Sequence, residues 1–544
     1  MFDYEAHGLS PPAARPEIPG RPQTVAEVLD PTLARDPGRA ALVGRHGRYS
    51  FAELDREANR AAHALRASGV APGDRVAACL PNDTALVVAF LACMRLGALW
   101  VGVNRALAPR EKAHVLRDSG AVLLLATPEG DAEVAGASEP LPALRERVRV
   151  DPGGPHDAWS ERLRGQSEAR PDVSLDPWGP AAIAYTSGTT GLPKGAVHSQ
   201  HNILLPGAVT AATGVYPEGT AQGAVLPMTI LNLIVLGPVQ AWQHGACLVA
   251  MDRIDAVGVA EWVERERIGS FAAVPTLIHD LLTHPAVRPE QLASLTQPLV
   301  GGAECPEEFR ALYRARFGCD VAIGYGMTEA PTAVTRAEGA SSPAPGLCGK
   351  ALPQVEITVR GADGRVLPPG EEGEICVGSA RAGPWAGVYT PMLGYWNRPD
   401  ATAEALADGV YHSGDVGVLE PDGTLFIRGR RNELILRGGA NVYPAEVERV
   451  LLEHPAVAEA AVLGLPDRRL GERVVAAVIL EGGAAVGEAA LRDHCRVLLA
   501  RYKVPDAIAI VDAMPRNAMS KVVKRELHAL FDGDSPGGVG GGGR

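Results

Sequence analysis

The sequence predicts an α/β protein built on parallel sheet with helices on both faces, and three observations carry that prediction. The chain has 544 residues, more than one compact core normally serves, so two or more domains are expected. Helical and extended patterns alternate from about residue 50 to residue 125, which is the grammar of βαβ units. Further on, an apolar run at 181–184 leads straight into a loop rich in glycine and hydroxyl groups, and ligands of such sheets gather at the carboxyl ends of strands.

In chain order, residues 1–23 carry early acidic residues and repeated prolines but no apolar segment of the kind a secretion signal has, so they read as an irregular lead-in. Ser50 and Glu53 form a capping-box pattern, and Leu54, Ala58, Ala61 and Leu65 follow at helical spacing until Gly69 ends the helix. A strand at 75–80, a helix at 85–96, a strand at 98–103, a helix at 111–119 stopped by Gly120 and a strand at 121–125 come next. Such continuously apolar strands suit a sheet buried on both faces. Residues 219–251 contain no Asp, Glu, Lys or Arg, yet Pro227, Asn232, Pro238, Gln240, Gln243 and His244 interrupt them. No clean apolar run of about 20 residues survives, so an integral membrane segment is not expected. A buried helix lining an apolar cavity is expected there instead. The glycine-rich tail at 533–544 has nothing to bury and is expected to be disordered. It is also too short for a fused carrier domain.

Hydrophobic residues at 46% and charged residues at 21% describe an ordinary globular chain. A formal charge of −12 argues against nucleic acid as the partner, while leaving room for a local basic pocket that takes a small phosphorylated ligand. Cys79, Cys93, Cys247, Cys305, Cys319, Cys348, Cys376 and Cys495 are scattered without CxxC spacing. That pattern suggests neither a disulfide framework nor a zinc site, and it fits a reducing cytoplasm.

The loop YTSGTTGLPKG at 185–195 combines the hydroxyls of Thr186, Ser187, Thr189 and Thr190 with glycines such as Gly188 and one cation, Lys194. Glycines let backbone N–H groups approach an anion closely, hydroxyls add donors and lysine adds a full positive charge, which together suit a phosphate chain. The spacing is not that of the GxxxxGK[ST] nucleotide loop, since Gly195 follows the lysine. A flexible surface loop shares this composition. Placement directly after a strand favours the phosphate reading.

This loop resembles the phosphate-loop signature of the adenylate-forming superfamily, which includes acyl-CoA synthetases, luciferases and the adenylation domains of peptide synthetases; stand-alone acyl-CoA synthetases are the nearest likeness. Further blocks resemble that family in the same order along residues 24–527. The segment GYGMTEA at 324–330 is similar to the one that closes over the nucleotide. The resemblance implies that Tyr325 stacks on adenine within Gly324, Gly326 and Met327, that Thr328 meets the α-phosphate, and that Glu329 binds the Mg2+ accompanying ATP. LVGGAE at 299–304 resembles the adenine-side loop, with Gly302 and Ala303 beside the base. YHSGD at 411–415 implies that Asp415 grips both ribose hydroxyls, as a carboxylate can, and Arg430 is a second ribose contact by the same resemblance.

The same likeness implies a large N-terminal domain of mixed, mostly parallel sheets packed by helices, binding ATP and the acid over 24–431. A small mobile α+β C-terminal domain is implied over 432–532, hinged at Asn432, where the family usually has Asp or Lys. Gly438 and Gly439 stand where the pantetheine arm of CoA passes, and Lys521 where the adenylation lysine stands, preceded here by Ser520 rather than the usual Gly. Lys521, Thr186 and Glu329 are therefore the expected catalytic residues. The implied reaction has two halves: a carboxylic acid and ATP give an acyl-AMP and pyrophosphate, and CoA thiol then displaces AMP to give the acyl-CoA thioester.

By resemblance Asn232, Leu236, Val274, Gly301 and Gly326 line the acyl pocket, whose mainly apolar character points to a fatty, aromatic or alicyclic acid. Thr229 and Ile230 stand where many relatives carry Phe-His, so no gating histidine is carried over, and the link at 378–391 is longer than usual. The expected partners are the acid, ATP and CoA, with Mg2+ as cofactor. Monomer and homodimer are both compatible with the sequence. Two other readings stay open at this point: an acyl-AMP ligase loading a carrier-protein pantetheine, and a non-catalytic nucleotide sensor.

Overall fold

A computed structural model describes the chain except residues 1, 137–139, 155–156, 187–192, 215–219, 297, 301–306, 338–343, 345, 438–439, 468, 518–520 and 532–544. The chain forms two compact units. The larger gathers Met1–Thr358, Cys376–His412 and Asp422–Leu425, and the smaller gathers Val359–Ile375, Ser413–Pro421 and Phe426–Arg544.

The larger unit holds a seven-stranded sheet in the order Gly394–Tyr395, Lys194–Ser199, Pro180–Thr186, Leu99–Gly102, Arg75–Cys79, Leu123–Ala126, Glu146–Arg149. From Pro180–Thr186 to Glu146–Arg149 every pair is parallel, and the two remaining strands join antiparallel. A six-stranded sheet runs Leu299–Val300, Ser270–Ala273, Gln222–Ala224, Leu248–Ala250, Ala40–Gly44, Gly47–Ser50, parallel but for its last pair. This is the expected mixed, mostly parallel α/β design.

Local signals explain the helices. Ser50 Oγ accepts from Glu53 N while a Glu53 carboxylate oxygen accepts from Ser50 N at 2.8 Å, so the helix Phe51–Ala67 starts on the expected capping box. Helix Thr84–Leu96 is almost wholly buried, and Phe90 on it meets Trp100 edge to face at 5.6 Å. Residues 2–23 hold one short turn at Glu5–His7, and Leu9 and Ile18 among them are buried.

The uncharged span at 219–251 corrects one expectation. It is not a single buried helix: strands Gln222–Ala224 and Leu248–Ala250 flank a helical run of Leu231–Ile234, Val235–Val239 and Gln240–Gln243. Pro238, which has no N–H, sits where the middle turn widens to a π-type ring. Its lack of charge reflects burial inside the six-stranded sheet and its covering helices. Among the described residues no helix is long and apolar enough to cross a membrane.

The smaller unit centres on the long antiparallel pair Val457–Asp467 and Gly471–Leu480, extended by Ile435–Arg437, Ala440–Val442 and, in parallel, Ala507–Ile510. Helices Pro444–Leu452 and Glu488–Leu498 bury Val447, Val450 and Leu491 against Val462, Val474 and Val478. This is an α+β unit. Lys524 clips its C-terminal segment down, with Nζ 2.8 Å from Glu448 and 3.0 Å from Glu433. Burial pulls the Lys524 ammonium toward a lower pKa, but the two carboxylates more than offset it, so the group is held above its ordinary value.

Candidate functional site

The described ends of the loop singled out by sequence lie on two paired strands. Pro180–Thr186 pairs antiparallel with Lys194–Ser199 in the register Tyr185 to Gly195 and Thr186 to Lys194, so the backbones of Thr186 and Lys194 face each other where the ladder opens. Ser187, Gly188, Thr189 and Thr190 lie outside the described residues. A Cβ on Gly195 would stand 2.5 Å from Ile183 Cγ2 and 3.2 Å from Tyr185 Cζ, so the close packing of the two strands requires glycine here. Tyr185 anchors the strand pair by donating to Asp118 Oδ2 at 2.8 Å, and Arg398 reaches the other oxygen of that carboxylate at 2.7 Å. Burial, reinforced by Asp118, lifts the Tyr185 phenol well above its ordinary range.

GYGMTEA is a tight hairpin. Gly326–Met327 pairs with Thr332–Ala333, which puts Thr328 and Glu329 in the turn. Gly324 and Gly326 are exposed, Met327 and Thr328 are half-buried, and the Tyr325 ring is buried. Two side chains that the motifs did not single out tie this hairpin to that strand pair. His198, on Lys194–Ser199 and fully buried, places Nε2 2.8 Å from the Thr328 carbonyl oxygen. Tyr395 donates its hydroxyl to Glu329 Oε1 at 2.8 Å, and its ring centroid lies 5.1 Å from Lys194 Nζ. The Tyr411 hydroxyl hydrogen-bonds that of Tyr395, and burial, with Glu329 close by, keeps Tyr411 far from ionisation. Thus the structure brings together Lys194, Thr328 and Glu329, with His198, Tyr395 and Tyr411 as unforeseen supports.

His198 is neutral. Burial pushes its pKa down to about 4, with the bond to Thr328 as a partial offset. Nε2–H is then the donor and bare Nδ1, which has no partner, fits the neutral tautomer. His201 is shifted down and His244 is pushed to about 4, both chiefly by burial. An unfolded histidine takes a proton near its ordinary value of 6.5, so between about 4 and 6.5 the unfolded chain binds more protons and stability rises with pH. Acidifying from pH 7 to 4 should therefore cost roughly 3 kcal/mol at His198 alone. In urea unfolding, His198→Gln, which keeps a donor for Thr328, should flatten that slope; an unchanged slope would rule out His198 as its source.

The residues expected around the acid are placed as follows. On the helical run, Asn232, Leu233 and Leu236 are only half-buried, whereas Leu231, Ile234 and Val235 are buried, so one face is less covered. Val274, half-buried, follows the strand Ser270–Ala273, which packs against the turn carrying Leu236. Asn232 Oδ1 and Thr229 Oγ1 are buried without a hydrogen-bond partner. The Thr229 carbonyl oxygen would be 1.8 Å from a Cβ on Gly102, so only glycine lets that strand approach. Gly301, Gly302 and Ala303 lie outside the described residues.

In the smaller unit, Arg430 Nε is 3.2 Å from the buried Asp415 carboxylate. Asp415 N donates to Ser413 Oγ at 3.1 Å, and Ser413 Oγ donates to the Ile375 carbonyl at 2.7 Å, which fixes the turn. Asn432 lies in the short turn Arg431–Glu433. Gly438 and Gly439 are outside the described residues, between strands Ile435–Arg437 and Ala440–Val442 that pair antiparallel. Lys521 is exposed; its backbone N–H donates to Asn517 Oδ1 at 3.0 Å and its carbonyl accepts from Asn517 N at 2.9 Å. Ser520 is outside the described residues.

Comparison with known proteins finds relatives over most of the chain. The family model described as AMP-binding enzyme matches residues 29–396, and the model of the AMP-binding enzyme C-terminal domain matches residues 446–521. A fatty acid–[acyl-carrier-protein] ligase, ScoC of Streptomyces coeruleorubidus, is 34% identical over 520 residues, covering 94% of this chain and 97% of the relative. A feruloyl-CoA synthase of an Amycolatopsis species is 36% identical over 497 residues, covering 90% and 96%. Among solved structures, o-succinylbenzoate coenzyme A synthetase of Bacillus subtilis with ATP and magnesium ion superposes with a TM-score of 0.79 at 30% identity, covering 92% of this chain and 99% of that one.

Proposed function

The chain belongs to the AMP-binding enzyme family, and on that premise we propose that it is an AMP-forming acyl-CoA synthetase, joining a hydrophobic carboxylic acid to the thiol of CoA through an acyl-AMP. One observation carries the reading: relatives aligned over at least nine-tenths of the chain are ligases that attach fatty or feruloyl acids to a thiol carrier. The half-buried face with Leu233 and Leu236, and Val274 beyond it, supports a hydrophobic acid.

Within this reading each residue has a task. Lys194 and the hydroxyls of Thr186, Ser187, Thr189 and Thr190 hold the departing phosphates, and Thr328 orients the α-phosphate. Tyr325, with Gly324, Gly326 and Met327 and with Gly302 and Ala303, receives adenine. Asp415 and Arg430 receive the ribose. The carboxylate of Glu329, fixed through one oxygen by Tyr395, is a hard donor of the type Mg2+ takes together with phosphate oxygens and water, and would hold the ion there. Bound Mg2+ neutralises phosphate charge. Lys521 meets the charge that develops as the carboxylate attacks; Asn432 then serves as the hinge on which the C-terminal domain of 432–532 turns, and Gly438 and Gly439 leave room for pantetheine.

Exchange of pyrophosphate into ATP across a panel of fatty, aromatic and alicyclic acids tests this. A hydrophobic acid should support exchange, and CoA should then release AMP. Silence with every acid would return the chain to a nucleotide sensor. The likeness to a carrier-protein ligase favours a second reading, in which the thiol belongs to an acyl-carrier protein. Acylation of a carrier in preference to CoA would select it.

A further inference from the structure

Tyr395 touches both charged residues of the larger unit's site, and the reaction as derived gives it no task. It arrives there by strand pairing. Gly394–Tyr395 lies antiparallel to Lys194–Ser199 with Tyr395 opposite Ala196, and the flanking bonds from Leu393 N to the Val197 carbonyl and from Trp396 N to the Gly195 carbonyl, both 2.8 Å, lock that register. Tyr395 N also donates to Thr402 Oγ1 at 2.9 Å, which pins the residue from the other side. One phenol thereby spends its hydroxyl on Glu329 Oε1 at 2.8 Å and turns its ring to the Lys194 ammonium at 5.1 Å. The hydroxyl of Tyr411 backs it.

A donor on one carboxylate oxygen stops the carboxylate from rotating and commits that oxygen, so a cation meets the other. Partners of this kind are known to tune metal ligands and to weaken metal affinity about 10- to 100-fold when lost. An aromatic face likewise steadies an ammonium without neutralising it, which a carboxylate partner would do. We infer that Tyr395 is the positioning residue for the metal–phosphate group of ATP: its hydroxyl fixes Glu329 so that Oε2 would face Mg2+, and its ring sets the position of the Lys194 ammonium. The inference rests on the proposed roles of Glu329 and Lys194.

Calorimetry of ATP binding with Mg2+ and with chelator, beside the Mg2+ dependence of pyrophosphate exchange, tests it on the full chain. Tyr395→Phe keeps the ring and loses the hydroxyl. It should raise the Mg2+ needed for half-maximal exchange about tenfold and shrink the gain in ATP affinity that Mg2+ brings, while ATP binding in chelator stays as in the parent. Tyr395→Leu should in addition weaken ATP binding in chelator, since the platform for Lys194 is gone. In a Glu329→Gln background, Tyr395→Phe should have no further effect, because it acts through that carboxylate. A parental Mg2+ response in Tyr395→Phe, or an equal loss in both backgrounds, overturns the inference. If Glu329→Gln itself leaves the Mg2+ response unchanged, the role of Glu329 fails first and with it the basis for Tyr395. Should Tyr395→Phe not fold, Tyr411→Phe, which removes only the backing phenol, must show the same Mg2+ dependence at about threefold and lose it with Glu329→Gln; a parental response there overturns the inference as well.

Discussion

Replacing Lys521 by alanine should slow acyl-AMP formation roughly 10²- to 10³-fold, the usual loss when one preorganised charge-stabilising donor is removed. Thioester formation from supplied acyl-AMP and CoA should keep nearly its full rate, because the charge that Lys521 is proposed to offset develops only in the first half-reaction. The structure makes this substitution clean. Lys521 is exposed, its backbone is closed onto Asn517 by two hydrogen bonds, and Lys524 clamps the same C-terminal segment. Stability should therefore shift by less than about 0.5 kcal/mol for Lys521→Ala. Lys524→Ala, which strands Glu433 and Glu448, should cost about 1–2 kcal/mol. Pyrophosphate exchange and single-turnover thioester formation measured side by side decide the matter, and an equal loss in both half-reactions would remove Lys521 from its proposed role.

Asp415→Ala should weaken AMP binding about 10- to 100-fold, since two charge-assisted bonds from the ribose hydroxyls are lost at a buried carboxylate. The parent chain should discriminate strongly between AMP and 2′,3′-dideoxy-AMP, and the variant should do so less, with only Arg430 left to meet the ribose. Equal discrimination by both would place the ribose elsewhere. Part of the loss will come from Arg430, whose guanidinium gives up its partner at 3.2 Å.

Much of this protein was legible in its sequence. The helix at Phe51–Ala67 begins on the residues that announce it because capping is a contact between neighbours three apart. The family could be recognised because the blocks at 185–195 and 324–330 are residue types packed into a few consecutive positions. The 219–251 span misled, since an absence of charge reports burial without saying whether strands or helices are buried.

What the sequence by itself determined is the α/β class and, by resemblance, the family and its two-part organisation, all of which rest on local pattern. Only the tertiary structure decided how those residues are held. Tyr395 and Glu329 are 66 positions apart and His198 and Thr328 are 130 apart, so no local pattern could pair them. Antiparallel addition of Gly394–Tyr395 to Lys194–Ser199 makes Tyr395 a neighbour of Lys194. A hydrogen bond specifies its partner by distance and direction, and those are set by strand register and packing once the chain has folded.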